Sequence, residues 1–124
     1  MDTASHHYLL EFHGINSDDL NNLELIEERM LTSLSGSGAT YINHSFHKFS
    51  PQGVSGVVVI AESHLSIHTW PESGYAALDV FTCGDKAIAD SILEHLLQTF
   101  KPTHTAIDYI PRGSLKTTPP VVTL

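Results

Sequence analysis

The stretch VSGVVVIAESHLSIHTWPESGYAALDVFTC, Val54–Cys83, decides the fold. Val54–Ala61 is nearly continuous in apolar residues, the pattern of an interior strand. His64–Thr69 alternates, with Leu65 and Ile67 on one face and His64, Ser66 and His68 on the other. Pro71-Glu72-Ser73-Gly74 is made of turn residues, and Tyr75–Thr82 resumes a β-prone run. Three successive strands joined by two tight turns pair antiparallel.

On the upstream side, the breaker Ser50-Pro51-Gln52-Gly53 separates this block from a predicted strand at Ala39–Lys48. Before that, Leu20, Leu23, Ile26, Met30, Leu31 and Leu34 recur at helical spacing until Ser35–Gly38 stops them. Asn16, Ser17, Asp18 and Asp19 supply the cap and acidic first turn of this helix. Tyr8–His13 reads as the first strand. Downstream, Gly84 and Asp85 open a second helix with Ile88, Ile92, Leu93, Leu96, Leu97 and Phe100 on its apolar side. Thr103–Ile110 reads as a last strand and Pro111–Leu124 as an exposed tail. The order strand, helix, four strands, helix, strand predicts an α+β two-layer sandwich, one antiparallel sheet with both helices on one face.

The 124 residues make a single domain, which leaves no room for a separate cofactor domain. Fourteen acidic residues against six basic ones give a net charge of −8, which argues against nucleic acid and makes a cationic small molecule the easier partner. The one cysteine, Cys83, can form no internal disulfide. No apolar run approaches the roughly 18 residues that span a membrane, and MDTASHHYLL lacks a basic signal region, so the expected compartment is the cytoplasm. The nine histidines show no metal-ligand spacing; His64-x-x-x-His68 would suit a helix, but these residues alternate like a strand. No metal is therefore expected, and a non-catalytic ligand- or metal-binding domain using the histidines remains an alternative.

Counting across the two hairpins places the polar residues. With a turn at Glu62-Ser63 and Ala61 opposite His64, Ser55 lies diagonally from His68 on one face, at roughly 7–8 Å or less. The second hairpin brings Cys83 opposite Glu62 or Ser63. Ser63 and His68 are five residues apart on one strand, on the order of 16 Å, and point to opposite faces. Glu72 belongs to the His68 end. The chain thus offers two half-sites at opposite ends of a hairpin, which a two-fold dimer could bring together. Taken singly, each residue also has a structural reading: Cys83 as a small buried hydrophobe, Ser55 and Ser63 as turn serines, His68 packed on Trp70, Phe49 as core.

The segment Gly53–Gly84 resembles the prokaryotic S-adenosylmethionine decarboxylase proenzymes, through ESHLSIHTWPE and DVFTCG at the family's separation. LLEF, LELIEE and FHKFSPQGVSG extend the similarity over most of residues 8–100. The resemblance implies a pyruvoyl enzyme that cuts itself at Glu62–Ser63, into a β chain of residues 1–62 and an α chain of residues 63–124. Ser63 would attack the preceding carbonyl and become the pyruvoyl group, with Ser55 the hydrogen-bond donor to the intermediate and His68 the base of the β-elimination. The pyruvoyl carbonyl would then form a Schiff base with S-adenosylmethionine and serve as electron sink, with no pyridoxal phosphate and no metal. Cys83 matches the proton donor, Glu72 the acid that accepts from the ribose hydroxyls, Phe49 the ring stacked on adenine, and Glu11 an acid lining the pocket. The product would feed spermidine synthesis. The resemblance also implies a homodimer, a four-layer αββα sandwich with each active site shared between subunits. Some relatives with this machinery act on arginine or ornithine, which stands as the alternative substrate class.

Overall fold

The computed structural model describes residues 3–113. Six strands form one sheet in the order β2-β3-β4-β5-β1-β6. They are β1 Ser5–His13, β2 Tyr41–Lys48, β3 Val54–Ile60, β4 Ser63–Trp70, β5 Tyr75–Cys83 and β6 His104–Arg112. Every pairing is antiparallel. The helices are α1 Ser17–Leu20, α2 Leu23–Thr32 and α3 Lys86–Phe100. The α+β architecture is as expected.

Period-two alternation sends Leu10, Phe12, Val54, Val58, Leu65, Ile67, Leu78 and Val80 to one face, where they are buried. There they meet Ile26 and Met30 of α2 and Ala89, Ile92, Leu96 and Phe100 of α3. Burying each such side chain stabilises the fold by about 1.5–3 kcal/mol. Gly56 also sits on this face, and the Phe46 ring occupies its missing side chain's place: a Cβ there would lie 2.0 Å from the ring.

The first helical stretch is interrupted, contrary to the single helix expected. Asn16 caps α1 by accepting from Asp19 N–H, and Asn22 caps α2 afresh by accepting from Leu25 N–H. Asn21 Oδ1 accepts from Gly53 N–H at 3.0 Å instead of leaving the helix uninterrupted. Asparagine side chains compete with the helical backbone in this way. The tail also starts later than expected, because Pro111 and Arg112 still pair with His6 and Ser5 at the end of β6. The rest of it, residues 114–124, lies outside the described residues. Among the described residues no helix is long and apolar enough to cross a membrane.

Among the described residues no helix covers the second face of the sheet. It carries His7, Leu9, Glu11, Ser55, Val57, Val59, His64, Ser66, His68, Asp79 and Phe81, and Leu9 is 37 % exposed.

Candidate active site

The two-residue β3–β4 turn falls one residue earlier than counting implied. Ile60 faces Ser63 across a two-residue turn, Ala61-Glu62, and Ser55 faces His68 directly. The difference from the expected register is two residues, so every side chain keeps its face. The direct pairing leaves Ser55 Oγ and His68 Nδ1 only 2.8 Å apart. In the turn, Glu62 has φ 58. The left-handed region costs a residue with a Cβ about 1–2 kcal/mol, and here the strain sits on the peptide unit that Glu62 shares with Ser63.

At that end of the sheet the last β4–β5 pair is His64 opposite Phe81. Cys83 N–H donates to Ser63 Oγ at 3.1 Å, and the Cys83 thiol donates to the Glu62 carbonyl oxygen at 2.9 Å. Ser5 on β1 pairs with Cys83 and has its Oγ 3.6 Å from the sulfur. Thr82 Oγ1 is fully buried and has no hydrogen-bond partner among the described residues. Ser63, Cys83 and the Glu62 carbonyl are thus brought together as predicted.

The other end holds Ser55, His68, Glu72 and Phe49. Glu72 lies in the single 3-10 turn Pro71–Ser73 that follows β4. Phe49 is 48 % exposed; its N–H donates to Gly53 O at 2.8 Å and its ring meets His47 edge-on at 4.6 Å. Sequence reasoning missed Trp70, whose ring is also exposed and stacks on Tyr75 at 5.1 Å. Its signal was available, since Trp70 shares the face of His68 by alternation. Tyr75 donates a very short hydrogen bond to Glu11. That bond, with some burial, pushes the Tyr75 hydroxyl up to about 12. Shallow grooves of about 290 and 340 Å³ flank His68 and Ser66, the second also lined by Leu9, Glu11 and Asp79.

Between the two ends His7, His64 and Ser66 converge on Asp79. Burial pushes the Asp79 carboxyl up, but hydrogen bonds from Ser66, His7 and His64 outweigh it and hold it below its ordinary value. The His7, His64 and Asp79 ligand atoms lie within 4.8 Å of one another, a spacing that suits a metal ion. The hydrogen bonding does not. Arg112 Nη1 donates to His7 Nδ1 at 2.9 Å, so the one proton of the neutral ring sits on Nε2, which donates to Asp79 at 2.7 Å. A cation would displace that proton and face the Arg112 guanidinium. The group is better described as a hub tying β1, β4, β5 and β6 together.

Residues 6–113 match the model of a family described as S-adenosylmethionine decarboxylase. A relative from Acetivibrio thermocellus, named S-adenosylmethionine decarboxylase proenzyme, is 50% identical over 113 residues, 91% of each chain. Another of that name, from Caldicellulosiruptor saccharolyticus, is 48% identical over the same share of each chain. The crystal structure of the adenosylmethionine decarboxylase from Aquifex aeolicus superposes with a TM-score of 0.86 at 32% identity, covering 93% of this chain and 95% of that one.

Proposed function

The chain belongs to the S-adenosylmethionine decarboxylase family, and from this premise we propose that it cuts itself between Glu62 and Ser63, converts Ser63 to a pyruvoyl group and with it decarboxylates S-adenosylmethionine, the product serving spermidine synthesis. Cys83 carries the reading: its thiol donates to the carbonyl of the bond to be cut, while its N–H holds the Ser63 hydroxyl beside that bond.

Ser63 Oγ attacks the Glu62 carbonyl carbon, and the Cys83 thiol faces the oxygen on which charge develops. Collapse breaks the C–N bond, leaving an ester and a free amine on residue 63; release of the turn strain at Glu62 favours this shift. His68 then removes the α-proton, the Glu62 carboxylate leaves from Cβ, and the resulting dehydroalanine takes up water and loses ammonia. The pyruvoyl group formed at residue 63 supplies an electrophilic carbonyl for the substrate amine and a sink for the electrons of the departing carboxylate. The residues around it suit an oxygen there, because the Cys83 N–H already donates to the Ser63 oxygen. Cys83 returns a proton to the α-carbon.

Within one chain His68 and Ser55 lie at the far end of β4 from Ser63, so their roles require a second copy. A homodimer packed through the open sheet face satisfies this, and it would cover Leu9, Val57, Val59 and Phe81, which alternation turns to that face. Glu72 then accepts from the ribose hydroxyls, Phe49 and Trp70 present ring faces to the adenine and sulfonium, and Glu11 lines the pocket on its Tyr75 tether. The net charge of −8 suits a cationic substrate.

Intact-mass spectra and carbon dioxide release test this together. The purified protein should give two chains divided at Glu62–Ser63 and release label from carboxyl-labelled S-adenosylmethionine faster than from arginine or ornithine. Cleaved protein inert on all three would overturn the reading.

His68→Ala should process as far as the ester and stop. The stalled chain should then be cut by hydroxylamine, as an ester is and an amide is not. Resistance to hydroxylamine would remove His68 from the elimination step.

A further inference from the structure

Cys83 has one thiol proton and two acceptors within reach. In the uncut chain the nearer is the Glu62 carbonyl at 2.9 Å, and the other is Ser5 Oγ at 3.6 Å. Ser5 is 6 % exposed and sits directly across from Cys83 in the β1–β5 register. A serine hydroxyl has a single proton, and Ser5 donates it to Thr3 O at 2.9 Å. Thr3 is itself tied down, its hydroxyl donating to Gly113 O at 2.7 Å. Gly113 approaches so closely that a Cβ there would lie 1.9 Å from Thr3 O. With its own proton on Thr3 O, Ser5 is placed to accept from the sulfur, and its pairing with Arg112 of β6 holds it there.

We propose that Ser5 is the positioning residue for the Cys83 thiol in the mature enzyme. Cutting the Glu62–Ser63 bond converts the Glu62 carbonyl into the carboxylate at a free chain end, and Ser5 Oγ is the acceptor that remains fixed beside the sulfur. The S–H bond swings to Ser5. There the lone pair favours the thiol over the thiolate and keeps the sulfur over residue 63, ready to give its proton to the α-carbon. One cysteine thus serves two steps, with Glu62 directing its proton before cleavage and Ser5 after it. This rests on Cys83 being the proton donor.

The test is a double-mutant cycle on processed protein, with kcat counted per pyruvoyl group. Ser5→Ala should lower kcat about tenfold, the size of one lost hydrogen bond, with KM nearly unchanged. Ser5→Thr, which keeps the hydroxyl, should restore most of the loss. In a Cys83→Ala background Ser5→Ala should change the residual rate less than twofold, because a residue acting through the thiol has nothing left to act on. The proposal is overturned if Ser5→Ala leaves kcat at the wild-type value, if it raises KM instead, or if the drop persists in the Cys83→Ala background. Should Cys83→Ala alone keep full turnover, the assignment of Cys83 as donor falls, and this role of Ser5 with it.

Discussion

Ser63→Ala should leave a single uncut chain of 13.6 kDa and no measurable decarboxylation. Without the hydroxyl there is no nucleophile for the Glu62 carbonyl, and the strain at Glu62 has no chemistry to drive. The electrophile for the substrate amine is lost at the same stroke, so turnover should drop by at least about six orders of magnitude, the low end of what enzymes achieve. The fold should persist. The Ser63 side chain accepts one hydrogen bond, from Cys83 N–H, whose loss is worth about 1 kcal/mol. Mass spectrometry and a melting curve on the same sample check both halves. Two chains in that spectrum would show that the bond to be cut lies elsewhere.

Cys83→Ala should fail in two separable ways. Removing a donor from the carbonyl under attack should slow processing by about 10²–10³-fold, so uncut chain accumulates after purification. In the fraction that does mature, loss of the acid that reprotonates the α-carbon should lower kcat by about 10²–10⁴-fold. Cys83→Ser separates the two. A hydroxyl still donates to the carbonyl, but it is a far weaker acid, so processing should recover more than turnover. A time course of cleavage and a kcat normalised to pyruvoyl content read these independently. Full turnover per mature subunit in Cys83→Ala would end the assignment of Cys83 as proton donor.

Both variants act at a site whose parts were unequally legible in the sequence. Local turns and period two were enough to put Cys83 beside Ser63 and to send His68 to the far end, because a hairpin count carries across a short connection. The same count placed the β3–β4 turn one residue too late, which shifts the pairing of β3 with β4 by two residues. Nothing in Ala61-Glu62 announces a tight turn, since neither residue is a glycine and Glu62 adopts its left-handed φ against its own preference. The face assignments survived, but the direct Ser55–His68 contact was missed. The break at Asn21-Asn22 was missed for a related reason. Apolar spacing runs on through both residues, and only the packing of Gly53 against Asn21 shows what the side chain does instead.

What the sequence alone determined, then, is the α+β class, the antiparallel Val54–Cys83 block and the resemblance that names the chemistry, all of which depend on residues close together in the chain. Only the tertiary structure decided where β1 and β6 go. The insertion of β1 between β5 and β6 brings Ser5 to Cys83 across 78 residues and Arg112 to His7 across 105. No local pattern encodes those meetings. They follow from which apolar faces can be buried together under α2 and α3, a condition on the whole chain at once.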